Sequence, residues 1–130
     1  MGKLDIVIIK DLIYAEVDFW SVIDNDYFSM RVLIDTGAAI TTFSDSAIKR
    51  LGYITYDKPI TVRTGGGITT ANEVTVPKIQ ISSFELIDIP AHSNKYLDEF
   101  KIDGIIGMNI LSKFIFTVNL NENIIIFDNR

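Results

Sequence analysis

The segment Val32-Leu33-Ile34-Asp35-Thr36-Gly37-Ala38 places a carboxylate at the end of an apolar run, followed at once by a hydroxyl and a glycine. Burying an ionised carboxylate among apolar neighbours is costly unless hydrogen bonds or a partner charge compensate. The donors at hand are the Thr36 hydroxyl and the backbone N–H groups of Gly37 and Ala38, and Gly37 lets another backbone approach closely. The chemistry open to such a group is general-base activation of a water. The plainer alternative is that Asp35 only opens a turn, its side chain accepting from the amides that follow. Its surroundings weigh against that: aliphatic residues precede it, a small residue follows, and Ile40-Thr41-Thr42-Phe43-Ser44 returns to strand.

Two further segments stand out. Asp103-Gly104-Ile105-Ile106-Gly107-Met108-Asn109-Ile110-Leu111 reads as two aliphatics and a glycine opening a short helix, and Thr61 to Thr70 carries the run Gly65-Gly66-Gly67. Three successive glycines suit a mobile hairpin tip, although ordinary glycine turns are common. A phosphate-binding loop is disfavoured, because no Lys-Ser or Lys-Thr follows the glycines and no helical pattern begins there. His92 is the only histidine, so a histidine-based metal cluster is excluded, and the acidic residues lack calcium-loop spacing. No Gly-x-Ser-x-Gly elbow accompanies His92, which is expected in an exposed loop. Asp98, Glu99 and Asp103 are expected to form a solvated acidic loop without a catalytic role.

Taken in order, the apolar-apolar-Asp-Thr-Gly-Ala loop, the glycine-rich hairpin and the apolar-apolar-Gly before a short helix with Asn109 and Leu111 resemble the retropepsin-like aspartic proteases. The helix after Asp35 and the turn Asn121 to Asn123 are more similar to cellular and bacterial members, including the DNA-damage-inducible type, than to the minimal viral enzymes. The resemblance covers roughly Val32 to Phe127, and the first thirty residues match only as generic strands. It implies an all-β, closed-barrel-like acid-protease fold with a flap hairpin and two short helices, occupying residues 1–130 as one domain. It further implies that Asp35 is the catalytic carboxylate, that Thr36 bonds across to the facing loop of another subunit, and that Gly37 admits the substrate backbone. Ala38, Gly65, Gly66, Gly67 and Ile106 are then expected to bind substrate, with Ile105, Ile106 and Gly107 packing beneath the Asp35 loop.

The implied reaction is hydrolysis of a peptide bond, without metal or other cofactor. One carboxylate is ionised and activates water, while the other is neutral and donates to the carbonyl. The sequence holds one Asp-Thr-Gly and no Asp-Ser-Gly, and Asp103-Gly104 lacks the hydroxyl residue between. The second carboxylate is therefore expected from an identical chain across a two-fold axis, with the strand Ile124 to Phe127 contributing to the interface by edge pairing. Two competing readings are an inactive or conditionally active peptide-binding or dimerisation module of the same fold, and a small β-barrel for an apolar ligand, which leaves Asp35 without a role.

The elements that must position these residues are short alternating runs rich in Val, Ile, Phe, Tyr and Thr. Ala15, Val17 and Phe19 alternate with Glu16 and Asp18, and the turn Asp24-Asn25-Asp26 leads into a strand from Phe28 to Ile34. Val74, Val76, Ile79 and Ile81 pair through Ser82-Ser83 with Phe84, Leu86 and Ile89, while Pro77 and Pro90 are expected at strand edges or ends. A third hairpin joins Phe114 to Leu120 with Ile124 to Phe127. The pattern predicts two helices: one capped by Ser44, running from Asp45 to Leu51 and stopped by Gly52, and one over Met108 to Lys113.

Composition narrows the function classes. The 130 residues suit one domain, and 48% hydrophobic content supplies a core with apolar surface to spare. Twelve basic against 17 acidic residues give a net charge of −5, which repels nucleic acid. Charges interrupt every apolar run, so no membrane span is expected, and the start shows no secretory pattern. The absence of cysteine is compatible with a reducing cytosol, so the expected location is cytoplasmic and the expected partners are a peptide or protein substrate and a second copy.

Overall fold

The computed structural model of the chain describes residues 1–56, 59–64 and 67–130. The chain opens with strands β1 (Gly2–Ile9), β2 (Leu12–Ser21) and β3 (Asp26–Ile34), then a short β4 (Thr42–Phe43) and helix α1 (Asp45–Leu51). Strands β5 (Ile60–Thr64), β6 (Gly67–Ile81) and β7 (Phe84–Ser93) follow, then the single-turn helix α2 (Tyr96–Glu99), β8 (Gly104–Ile106), α3 (Met108–Leu111), β9 (Phe114–Asn119) and β10 (Ile124–Asn129). All the strands belong to one sheet in the order β5-β6-β7-β4-β8-β3-β2-β1-β10-β9, and a further β6–β2 pairing closes part of it into a ring. That closure is short, Asp18 opposite Gln80 and Phe19 opposite Ile79. Among the described residues no helix is long and apolar enough to cross a membrane.

The expected hairpins are present because alternation and turn chemistry agree. β2 and β3 pair from Tyr14 opposite Leu33 to Ser21 opposite Asp26, so Ala15, Val17 and Phe19 all face the core while Glu16 faces out. Ser82, with φ of 56°, turns β6 into β7, and Asn123, with φ of 54°, turns β9 into β10. The β1–β2 hairpin, not anticipated, turns on Lys10 and Asp11, both in the left-handed region that suits a two-residue hairpin loop. Helix α1 runs as expected: the Ser44 Oγ accepts from the Ala47 N–H at 3.0 Å, and Gly52 closes it with φ of 77°.

The ring is filled by aliphatic side chains and a chain of edge-on aromatics. Phe19 meets Phe43 with centroids 5.0 Å apart, and Phe43 meets Tyr53 at 6.1 Å. The Tyr53 hydroxyl donates to the Trp20 carbonyl at 2.7 Å, which satisfies it, while burial pushes its pKa up. A second group, Phe84, Phe114 and Phe127, packs under the β9–β10 hairpin.

Four expectations are corrected. Pro77 and Pro90 lie within long strands and not at their ends, tolerated because each removes a donor where, among the described residues, no second neighbour takes it up: β4 joins β7 only from His92 onward, and on the outer side of β6 Thr55 bridges to Val74 and the next pairing is Phe19 with Ile79. Helix α3 ends at Leu111, short of Lys113. The stretch read as an acidic loop contains helix α2, and its Asp98 accepts from the Asp45 N–H at 3.1 Å, adding to the cap of α1. The last strand is not an edge: β10 is enclosed by β1 on one side and β9 on the other. Backbone pairing within the chain thus occupies both sides of Ile124 to Phe127, and the strand left at that end of the sheet is β9.

Candidate active site

Asp35 sits where β3 ends, and the surrounding strands cross in an unusual order. β3 and β4 are consecutive in the chain, yet β8 lies between them, parallel to β3 with Ile34 beside Ile106 and antiparallel to β4 with Thr42 opposite Ile105. The loop from Asp35 to Thr41 must therefore arch over the end of β8. The Asp35 N–H donates to the Ile106 carbonyl at 3.1 Å, and the Asp35 Oδ1 accepts from the Gly37 N–H at 2.8 Å. Its main-chain carbonyl accepts from the Ala38 N–H at 3.2 Å. The carboxylate is half-buried and oriented by its own loop, and its second oxygen accepts no hydrogen bond from the described residues.

Helix α3 holds that arch from beneath. The Met108 N–H donates to the Ala38 carbonyl at 2.7 Å, and the Asn109 N–H to the Ala39 carbonyl at 3.0 Å. A Cβ at Gly107 would stand 2.7 Å from the Ala38 oxygen and 2.9 Å from the Ile40 carbonyl carbon, so only glycine permits this approach. Thr41 is wholly buried. Its hydroxyl donates to the Asn109 Oδ1 at 2.8 Å and accepts from the Gly107 N–H at 3.1 Å, while its own N–H also donates to the Asn109 Oδ1 at 2.8 Å. The Asn109 Nδ2 then donates to the Pro90 carbonyl at 2.8 Å. One asparagine thereby ties the arch, helix α3 and strand β7 together.

Asp35, Gly37 and Ala38 open onto a cleft of about 650 Å³. The β5–β6 hairpin forms the opposite wall through Val62, Arg63, Gly67 and Ile68, with Gly67 at φ of 116°, a conformation that other residues rarely adopt. Helix α2 and the residue after it add Tyr96, Leu97 and Phe100. Among the described residues, Asp35 is the one carboxylate that lines the cleft.

The residues picked out in the sequence are distributed as follows. Asp35, Gly37, Ala38 and Gly67 share the cleft, and Thr36 is exposed at the outer turn of the arch. Gly65 and Gly66 lie outside the described residues. Ile106 does not reach the cleft with its side chain, which is fully buried in the core; the alternation along β8 gives that place to Ile105, and Ile106 contributes its carbonyl to Asp35. His92 is not in an exposed loop. It stands half-buried on β7 and lines the cleft, and burial pushes its pKa down against the opposing pull of Glu73. In the sequence Thr41 reads only as strand; its role depends on Asn109 folding back beside it.

The aspartyl protease family matches residues 20–110. No curated protein matches the chain. Among solved structures, a retropepsin-like aspartic protease from Rickettsia conorii superposes with a TM-score of 0.67 at 22% identity, covering 97% of this chain and 90% of that one. The retroviral protease-like domain of Ddi1 from Leishmania major gives a TM-score of 0.61 at 14% identity, covering 92% and 90%. At those identities the likeness is one of fold, the all-β retropepsin-like architecture. The family match spans both the Asp35 arch and the strand and helix that support it, and the chain belongs to the aspartyl protease family.

Proposed function

We propose that the protein is an aspartic endopeptidase active as a homodimer, in which the Asp35 carboxylates of two copies face each other across a two-fold axis. The observation that carries this reading is a single oriented carboxylate at the rim of a cleft large enough for a peptide, on an arch stiffened from below. One ionised Asp35 takes a proton from water as the oxygen attacks the peptide carbonyl, and the neutral Asp35 gives its proton to the carbonyl oxygen. Collapse of the resulting diol returns a proton to the departing amine. Two carboxylates about 3 Å apart share one proton because both cannot ionise together. Two such groups and a water suffice, so no cofactor is invoked.

In this reading the β5–β6 hairpin serves as the flap that covers the bound peptide, and Thr36, which is exposed on the arch, bonds to the facing arch. Since β10 is enclosed, the outer edge of β9, where Ile115 is exposed and no strand pairs among the described residues, is the backbone that joins two copies at that end. Cleavage of an unstructured protein, with and without an aspartic-protease transition-state mimic, tests the reading. Mimic-sensitive cleavage that Asp35→Asn abolishes is the expected result. Tight binding of the mimic without cleavage would instead identify a peptide-binding module and overturn the protease reading, as would the absence of both binding and cleavage.

A further inference from the structure

The strand registers bring Ile105, Thr42, His92 and Glu73 into one row. Thr42 stands opposite Ile105 across β4 and β8, beside His92 across β4 and β7, and His92 stands opposite Glu73 across β7 and β6. Paired residues project from the same face of a sheet, and the flanking Phe43, Ala91 and Ser93 are buried on the other face. Ile105, Thr42 and His92 line the same cleft as Asp35, and His92 and Glu73 border an adjoining hollow of about 240 Å³. This wall thus turns from aliphatic to polar as it leaves Ile105.

The hydrogen-bonding capacity of the polar part is specific. The Thr42 hydroxyl donates to the Ile40 carbonyl at 3.1 Å, so its oxygen is left to accept only. Among the described residues the His92 ring has no hydrogen-bond or ion-pair partner. Burial favours its neutral form, with one N–H to donate, while Glu73 opposes that preference. An acceptor and a donor therefore lie side by side.

We propose that Thr42 and His92 form a subsite selecting a carboxamide side chain, Asn or Gln, in the substrate peptide. The carboxamide N–H would bond to the Thr42 hydroxyl oxygen and its carbonyl would accept from the His92 ring. A carboxylate fits less well, because Thr42 has no proton left to give and Glu73 adds a like charge nearby. An aliphatic side chain would desolvate the ring N–H without replacing its hydrogen bond. Spacing agrees: strands lie about 4.8 Å apart, so the midpoint between Thr42 and His92 is roughly 7 Å from Ile105, close to the separation of alternate side chains in an extended peptide. The selected residue is thus two positions from the one seated over Ile105.

The inference rests on the proteolytic reading for the identity of the ligand, and the test separates the two. Peptides carrying Gln, Glu or Met at each position in turn are compared for kcat/KM, and non-hydrolysable reduced-amide versions are compared for affinity. At one position the wild-type protein should favour Gln over the similarly shaped Met by about tenfold, in affinity as in turnover. His92→Leu should bring the Gln-to-Met ratio to one or below, and Thr42→Val should reduce it, whereas general damage to the fold would lower both peptides alike. Equal affinity for Gln and Met peptides, a ratio unchanged in His92→Leu, a preference for Glu, or binding of none of the reduced-amide peptides would overturn the subsite. Binding with the expected ratio but no hydrolysis of any peptide would uphold the subsite and overturn the protease.

Discussion

Replacing Thr41 with valine keeps the shape of a buried side chain and removes one hydroxyl that makes two bonds. In the native protein that hydroxyl donates to the Asn109 Oδ1 at 2.8 Å and accepts from the Gly107 N–H at 3.1 Å. The Asn109 oxygen keeps its second donor, the Thr41 N–H at 2.8 Å, so its loss is partial. The Gly107 N–H is left buried and without this partner, and an orphaned buried donor costs about 1–3 kcal/mol. We expect about 2 kcal/mol in all, which for a chain of this size lowers Tm by roughly 6–10 °C. The control is Thr41→Ser, which keeps the hydroxyl and loses a methyl worth about 0.8 kcal/mol. Thermal unfolding followed by circular dichroism, at one fixed protein concentration because any self-association would stabilise the fold, should rank wild type above serine above valine. Activity should follow the same order, because the arch that carries Asp35 rests on this bond. A valine variant as stable as wild type, or a serine variant less stable than valine, would refute the argument that hydrogen bonding rather than packing holds the arch.

Asp35→Asn should abolish hydrolysis while thermal unfolding and sedimentation remain close to wild type, since it removes the ionisable group with little change in volume. Rate against pH should be bell-shaped and centred below neutrality, because the pair must hold one proton; a rate rising steadily into alkaline pH would point to other chemistry. Specific activity should fall on dilution, and an excess of Asp35→Asn chains should suppress wild-type activity through mixed dimers; full activity in a protein that sediments as a monomer would exclude the shared site. Gly107→Ala should destabilise the fold, because the new Cβ would stand 2.7 Å from the Ala38 oxygen, and unchanged stability would show that the arch can yield.

Local chemistry was enough to read several elements from the sequence. Helix α1 was legible to the residue because both its ends are set by neighbours in the chain, Ser44 at one and Gly52 at the other. The hairpins built from Val17 and Phe19, from Val74 and Val76, and from Ile124 to Phe127 were legible because alternation over a few residues fixes which face is buried. Asp35 stood out for the same local reason, a carboxylate closing an aliphatic strand before Thr36 and Gly37. The insertion of β8 between β3 and β4 is a pairing between distant segments, and nothing within either segment specifies it. That insertion decides that Ile105 rather than Ile106 faces the cleft, that Thr41 meets Asn109, and that His92 comes to stand beside Thr42. The enclosure of β10 between β1 and β9 is of the same kind: its apolar residues suit an interface or a core equally, and only the position of β1 makes it core. Hydrophobic period sets the face a residue takes, but the neighbour across that face is chosen by the closure of the whole sheet.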